Sequence, residues 1–146
     1  MQYKLKKIRS DASFREFFRL KKGNKTSIIV AARKERFRNL IAYSSINRFL
    51  RGKGIHTPKT ISKHFSEGMM EIEDFGDNTL LNSIRKSKNI FPFYKKSINV
   101  ILKLQKIKPI NKINIKSNRN LKLNNYNLKN LHKDSDLFLN WYLPGI

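Results

Sequence analysis

Residues 9 to 32 read RSDASFREFFRLKKGNKTSIIVAA, and the fold class follows from this stretch. Its residues between Phe14 and Leu20 are rich in aromatics, with Phe14, Phe18 and Leu20 available to one face, which predicts a strand. Lys22-Gly23-Asn24 is a typical turn sequence, and the β-branched run 27–32 predicts a strand that pairs back on the first. The small polar residues before Phe14 predict a tight connection from an earlier strand that begins at Tyr3.

A helix and two further strands are predicted after this hairpin. An apolar stripe at helical spacing predicts a helix from about Arg36 to Leu50, and Gly52 and Gly54 provide its end. Two short runs, residues 59–65 and 69–73, predict strands around a turn of small and polar residues. Residues 1–77 are therefore expected to form a five-stranded antiparallel sheet with one helix packed on it.

The second half of the chain is expected to be helical. Apolar spacing predicts helices over residues 79–85 and 93–107, and a last one that begins near Asn127. The residues from Asn111 to Asn127 are interpreted as a long polar connection. The predicted class is α+β, and the order of elements is that of a protein-kinase-like N-terminal lobe (1–77). The start of an incomplete helical C-terminal lobe (78–146) follows.

The net charge of +22 arises from 32 Lys and Arg against 10 Asp and Glu. Such an excess is typical of proteins with a polyanionic partner. The Lys residues are scattered along the chain, however, and an AT-rich genome would enrich Lys, Asn and Ile together. The chain has no Cys, which excludes a disulfide scaffold. Its longest apolar run, residues 28–32, is too short to span a bilayer, and with no signal peptide evident we expect a cytoplasmic protein.

Four segments resemble one family in the family's own order. Residues 10–19, SDASFREFFR, resemble the "GDASFRRYFR" hairpin of bacterial aminoglycoside-phosphotransferase/choline-kinase-like enzymes. Residues 73–77, EDFGD, resemble the segment after the fifth strand in that family. Residues 102–105 match a later helix loosely, and residues 136–143 resemble an "ELFxxWYL" segment. The resemblance is closest to the branch that phosphorylates N-acetylmuramate and N-acetylglucosamine at the anomeric position.

The resemblance implies the ATP-binding portion of a small-molecule phosphotransferase that acts on an amino sugar in cell-wall recycling. Its cofactors would be ATP and magnesium. In kinase-like folds a turn between the first two strands covers the phosphates, and small residues let backbone N–H groups approach them. The segment after the fifth strand would be the hinge that faces adenine. The cofactor-binding residues implied are Ser10, Asp11, Ala12, Ser13, Glu73, Asp74, Phe75 and Gly76.

The residues of the chemical step are not found in the 146 residues. The family's catalytic loop and acidic magnesium motif would both lie beyond Ile146, so we expect a truncated member that does not catalyse transfer alone. Asp74-Phe75-Gly76 and His132-Lys133-Asp134 read like protein-kinase motifs, but their order is reversed and the spacing to Asn140 is wrong. We interpret His132 and Asp134 as exposed helix residues, and we predict no catalytic residue and no metal site in this chain.

A second function class remains open. A non-catalytic basic module could bind RNA or another polyanion, with bases stacked on an aromatic-rich sheet. No RNA-binding motif is present, and Phe14, Phe17 and Phe18 are more typical of core positions. We therefore expect a nucleotide and a sugar as partners, no specific nucleic acid and no membrane. The sequence makes no prediction of the oligomeric state.

Overall fold

The computed structural model describes residues 3–9, 15–32, 37–108, 110–115, 119–123 and 127–145, and at residues 37, 119 and 145 the backbone alone. These residues form seven strands and four α-helices. The strands are β1 (Tyr3–Ile8), β2 (Arg15–Lys22), β3 (Lys25–Ala32), β4 (Thr60–His64), β5 (Met69–Glu73), β6 (Lys112–Ile115) and β7 (Arg119–Lys122). The helices are α1 (Phe37–Gly52), α2 (Leu80–Arg85), α3 (Phe91–Gln105) and α4 (Leu128–Leu137).

The first five strands form one antiparallel sheet in the order β1-β2-β3-β5-β4. Phe17 of β2 lies opposite Val30 of β3, which in turn lies opposite Met70 of β5. The β-branched run of β3 therefore occupies the centre of the sheet, between β2 and β5. This sheet, with α1 and the later helices, is an α+β fold compatible with a kinase-like N-terminal lobe, and the predicted fold class is confirmed.

The core lies between this sheet and α1. Its buried residues are Ile28 and Val30 of β3, Met70 and Ile72 of β5, and Leu40 of α1. Each buried apolar side chain contributes about 1.5–3 kcal/mol relative to an exposed position. The partly buried residues packed around this cluster are Ile8, Phe17, Ala32, Tyr43 and Phe65.

Exposed lysines lie on both edge strands of the sheet, three on β1 and one on β4. The edge strand β1 carries Lys4, Lys6 and Lys7 on exposed positions, and β4 carries Lys63 at the opposite edge. Lysines on edge strands discourage pairing with a second chain because their charges would be brought together and desolvated. Part of the high net charge therefore protects the sheet from edge-to-edge association.

Glycine ends α1 as the sequence predicts. Gly54 has φ of +77°, a left-handed conformation that costs glycine little. The chain then turns back, so that the N–H of Ile55 donates to the carbonyl of Leu50 at 3.0 Å. This bond satisfies one of the free carbonyls at the helix end, and Ile55 itself is buried.

The predicted polar connection from Asn111 to Asn127 is wrong in part. Strands β6 and β7 form an antiparallel hairpin there, with Ile113 opposite Leu121. The hairpin lies against α1, where Ile113 is buried and Arg48 donates a hydrogen bond to the carbonyl of Asn114. Asn and Lys are poor strand formers, so this burial against α1, rather than local preference, stabilises the hairpin.

The helices of the second half expose apolar side chains. Helix α3 and helix α4 with the turn after it contain no buried residue. The larger exposed apolar side chains of these segments include Tyr94, Ile98, Ile101, Leu128, Leu137, Phe138, Trp141 and Tyr142. In the part of the chain that the structure describes, no helix is long and apolar enough to cross a membrane. The boundary between two lobes at residue 77 stays a prediction.

Candidate functional site

The 73–77 loop, which runs from Glu73 to Asp77, joins β5 to the short helix α2. Asp74 Oδ1 accepts a hydrogen bond from the backbone N–H of Gly76 at 2.9 Å, which closes a tight turn within the loop. Gly76 has φ of +73°, a conformation that other residues adopt only at a cost. The sequence Asp-x-Gly thus supplies both parts of this turn, the side-chain acceptor and the residue that tolerates the backbone.

Arg19 of β2 binds both aspartates of the loop. Its Nε lies 2.7 Å from Asp74 Oδ2, an ion-pair contact without the alignment of a hydrogen bond, and its Nη2 donates to Asp74 Oδ1 at 3.2 Å. Its Nη1 and Nη2 donate to the two carboxylate oxygens of Asp77, each at 2.8 Å. One guanidinium therefore engages two carboxylates with both edges of its planar fork. We call these three residues the Arg19 cluster.

The Arg19 cluster is buried on one side and open on the other. The side chain of Asp74 is 4% exposed, that of Arg19 is 24% exposed, and that of Asp77 is 83% exposed. An ion pair is screened little where water is excluded and strongly where it is not. The contact with Asp74 is therefore expected to anchor the loop, whereas Asp77 adds a weaker outer contact.

The charges of the cluster stabilise one another. Burial raises the pKa of Asp74, but hydrogen bonds from the Gly76 N–H, the Arg19 guanidinium and the Thr26 hydroxyl together hold that pKa below its usual range. Hydrogen bonding to Arg19 and its positive charge also lower the pKa of Asp77. The two carboxylates in turn raise the pKa of Arg19. All three groups are therefore charged at neutral pH.

Strand register explains why Arg19 meets the loop. Arg19 lies opposite Ile28 of β3, and Ile28 lies opposite Ile72 of β5. Directly opposed residues of antiparallel strands project from the same face, so Arg19 shares the core face with Ile72. Asp74 follows Ile72 by two residues and continues on that face. The sheet thus brings Arg19, the last residue of the resembling segment 10–19, to the resembling segment 73–77.

Glu73 and Phe75 make separate contacts on the other side of the loop. Glu73 Oε2 accepts a hydrogen bond from the backbone N–H of Lys59 at 3.0 Å and lies 3.9 Å from Arg51 Nη1. The ring of Phe75 is half exposed and lies 4.9 Å from the ring of His56. The loop therefore presents an aromatic side chain beside its fixed backbone.

The predicted phosphate segment, Ser10 to Ser13, lies outside the described residues. Its place along the sheet is bounded by β2, because Arg15 at the start of β2 lies opposite Ala32. Glu73 lies opposite Ser27, at the other end of β3. Ser27 and Ala32 are five residue steps apart, about 16 Å at a rise of about 3.3 Å per residue. Arg15 and Glu73 therefore lie at opposite ends of β3 rather than side by side.

Arg19 and Thr26 are site residues without an assigned role in the sequence prediction. A signal for Arg19 exists, because it is a charged residue in a strand whose alternate position, Phe17, packs on the core. A charge on a core-facing position requires a partner of opposite charge. Which acidic residue supplies it depends on strand order, which the local sequence does not contain.

The aspartates of the 73–77 loop are poor candidates for metal ligands. Asp74 and Asp77 both direct oxygen atoms at Arg19, so a cation would have to displace a guanidinium. Among the described residues, no group of three or more His, Asp or Glu side chains could hold a metal ion. His132 and Asp134 are exposed on α4, as the sequence predicts.

Comparison with known proteins finds one distant sugar-kinase homologue. Over 134 residues the chain is 23% identical to the N-acetylmuramate/N-acetylglucosamine kinase of Pseudomonas aeruginosa, an alignment that covers 92% of this chain and 36% of that kinase. The chain thus spans about a third of the length of this relative. No protein-family model matches the chain, and no solved structure matches it. The comparison supports the kinase and transferase class at this coarse level.

Proposed function

We propose that this chain is the ATP-binding portion of a phosphotransferase that phosphorylates an amino sugar. The observation that carries the proposal is the alignment with a sugar kinase over 92% of the chain. The Arg19 cluster supports it, because it joins the two segments that resemble the aminoglycoside-phosphotransferase-like family. Membership of that family and a cytoplasmic location are part of the proposal.

In the proposed complex, adenine lies against the 73–77 loop. The backbone N–H groups of Glu73 and Gly76 are already engaged, by Lys59 O and by Asp74 Oδ1. The proposal therefore assigns the adenine contacts to the peptide groups of Asp74 and Phe75. The half-exposed ring of Phe75 would cover one face of the base. The Arg19 cluster would act by positioning, since it fixes the backbone that reads the base.

The phosphates would lie under the segment Ser10, Asp11, Ala12 and Ser13. The separation of about 16 Å between Ser27 and Ala32 of β3 suits an extended nucleotide, with its base at one end and its phosphates at the other. Small residues at this segment would let backbone N–H groups donate to phosphate oxygens. Magnesium would offset the phosphate charge during transfer, and we assign its ligands and the catalytic Asp to parts of the whole protein outside these 146 residues.

Calorimetric titration of the 146-residue chain with ATP tests the nucleotide site. The informative variant is Ser13→Pro, which removes a backbone N–H. Its matched control is Ser13→Ala, which keeps that N–H and removes only the hydroxyl. We expect Ser13→Pro to weaken ATP binding about tenfold, the value of a charge-assisted hydrogen bond. Ser13→Ala should change it by a few-fold at most.

Two results would contradict the proposed phosphate site. If ATP does not bind the folded chain, or if Ser13→Pro binds it as tightly as the unchanged protein, the segment is not a phosphate loop. Adenosine without phosphates provides a second arm. Phe75→Ala should weaken adenosine binding, whereas Ser13→Pro should leave it unchanged, because the two substitutions address opposite ends of the nucleotide.

The sugar substrate requires a separate assay. We expect the whole protein to release ADP when N-acetylmuramate or N-acetylglucosamine is added. The γ-phosphoryl group would pass to a sugar hydroxyl, and the proton of that hydroxyl would pass to the catalytic Asp. We expect the 146-residue chain to bind ATP without this turnover. If neither sugar causes release of ADP, the substrate assignment is contradicted, whereas the proposed nucleotide site is unaffected.

A further inference from the structure

A half-open pocket of about 200 Å³ lies between α1 and β4. Helix α1 contributes Ser44, Asn47, Arg48 and Arg51, which recur every three or four residues and so share one helix face. Thr60 of β4 lies across from them, with its Oγ1 3.3 Å from Ser44 Oγ. The pocket walls are therefore built mostly from two regular elements, and Pro58 and Lys59 of the connection between them complete the lining.

The side chain of Asn47 is a buried donor without a partner. Asn47 is 8% exposed, and its Nδ2 has no hydrogen-bond partner among the described residues. Its backbone carbonyl, by contrast, accepts a hydrogen bond from Thr57 Oγ1 at 3.1 Å. Buried amide donors are almost always paired, because an unpaired one loses its bond to water without replacement. The Nδ2 atom is closed off from solvent, so a turn of the Asn47 side chain toward the pocket it lines would give this donor an acceptor there.

Four basic residues line the same pocket. Arg48 and Arg51 belong to α1, whereas Lys59 and Lys63 come from the chain around β4. Glu73 is the acidic group at the margin, with its Oε2 3.9 Å from Arg51 Nη1. Arg48, Arg51 and Lys59 outnumber this carboxylate, so a positive excess remains. The pocket therefore attracts anions and repels metal ions.

The two guanidinium groups are held in place by backbone carbonyls. Arg48 Nη2 donates to Asn114 O at 2.5 Å, and Arg51 Nη1 donates to Thr57 O at 2.6 Å. A carbonyl fixes a guanidinium without neutralising its charge. Each guanidinium has five N–H groups, so further donors remain for a ligand. The cations are thus partly pre-organised, which lowers the entropic cost of binding.

We propose that this pocket binds the phosphate group of a small molecule, either inorganic phosphate or a phosphate monoester. A phosphate accepts several hydrogen bonds at once and matches the planar fork of arginine. The pocket is smaller than the roughly 300–1,000 Å³ typical of sites for whole organic ligands, so it suits one such group with a short substituent. The pocket adjoins the proposed nucleotide site at Glu73, but none of its lining residues is assigned to the nucleotide.

Titration of the chain with inorganic phosphate, at constant ionic strength in chloride, tests the proposal. Calorimetry gives the affinity, and the ¹H–¹⁵N signals of side-chain amides report on Asn47 directly. We expect the Asn47 amide signal to shift with phosphate and to saturate at the calorimetric affinity. Lys59→Met and Asn47→Ala should each weaken binding about tenfold. A parallel titration with glycerol phosphate distinguishes a monoester site from a site for free phosphate.

Lys95→Met on α3 is the matched control, because it removes one exposed positive charge away from the pocket. An equal loss of affinity in Lys95→Met and Lys59→Met would show that phosphate responds to overall charge, and would overturn the proposal. So would an Asn47 signal that does not move. The affinity of Asn47→Ala is interpreted only if its circular dichroism spectrum matches that of the unchanged protein. If Asn47→Ala does not fold, Lys59→Met still tests the pocket, because Lys59 is exposed. A further titration uses an RNA oligonucleotide. If the RNA displaces phosphate, and if Lys59→Met weakens RNA binding as much as phosphate binding, the pocket is part of a nucleic-acid surface and the small-molecule proposal is wrong.

Discussion

Arg19 connects parts of the chain that are 55 residues apart in sequence. It lies on the core face of its strand, where an isolated guanidinium would be unfavourable, and Asp74 and Asp77 make that position tolerable. The contact with Asp74 excludes most water, whereas the contact with Asp77 faces solvent. At the scale of single residues, the geometry of the candidate hinge therefore depends mainly on one ion pair.

Substitution of the two aspartates should separate their contributions. Asp74→Asn removes the buried negative charge and leaves Arg19 with only its outer partner, so we expect a loss of about 2 kcal/mol in the free energy of unfolding. Asp77→Asn should cost clearly less, because that carboxylate is exposed and screened. Urea unfolding followed by circular dichroism measures both. Equal losses in the two variants would contradict the inner and outer roles.

Acid should weaken the same contact. The pKa of Asp74 is lowered in the folded protein, so its unfolded form takes up protons first as the pH falls. The stabilisation is complete above the unfolded value of about 3.9 and is lost as the pH falls through the folded value. The difference in melting temperature between the unchanged protein and Asp74→Asn should be constant near neutral pH and shrink below about pH 4. A difference that persists to about pH 2 would contradict this assignment.

At the scale of elements, the hairpin of β6 and β7 shows what packing adds to a weak local preference. Its sequence is rich in Asn and Lys, which favour turns and solvent. It nonetheless pairs, because Ile113 finds an apolar contact beside α1 and Arg48 bonds the neighbouring carbonyl. A two-stranded hairpin alone is marginal in water, so this docking supplies its stability.

Shortening the side chain of Ile113 should therefore weaken the packing of the hairpin on α1. We expect Ile113→Ala to lower the free energy of unfolding by about 2–4 kcal/mol, or to unfold the hairpin alone while the sheet persists. Ile61→Ala on β4 is the control, since Ile61 is 54% exposed and should cost much less. Hydrogen exchange of the amides in β6 and β7 distinguishes local from global loss. Unchanged protection in Ile113→Ala would show that the hairpin is stable without its contact.

At the scale of the whole molecule, two opposing features decide association. A net charge of +22 makes the molecules repel one another. The exposed apolar side chains around the end of α4, with Trp141 at 80% and Leu137 at 61%, favour contact between them. Repulsion between surface charges weakens with salt, whereas apolar contact does not.

Self-association should consequently grow with salt. We expect sedimentation velocity to detect larger species at about 0.5 M NaCl than at about 0.05 M, since the Debye length shrinks over that range. Leu137→Gln combined with Trp141→Gln should reduce them. Leu81→Gln, a similar change at an exposed position of α2, should not. Association that falls with salt would indicate contacts between charges instead.

The sequence alone predicted most elements because their signals are local. Apolar alternation, a turn at Gly23 and the glycines after α1 each act within a few residues, so the sheet, α1 and the helix after Asn127 could be predicted from pattern. The turn of the 73–77 loop is equally local, since Asp74 and Gly76 stand two residues apart. The contacts that the sequence did not predict join residues that are far apart in the chain. Strand order places Arg19 beside Asp74. Packing against α1 stabilises the strands β6 and β7. The contact of α1 with β4 forms the basic pocket that Asn47 lines. Such pairings depend on burial and on the fields of distant charges, and these exist only once the chain has packed.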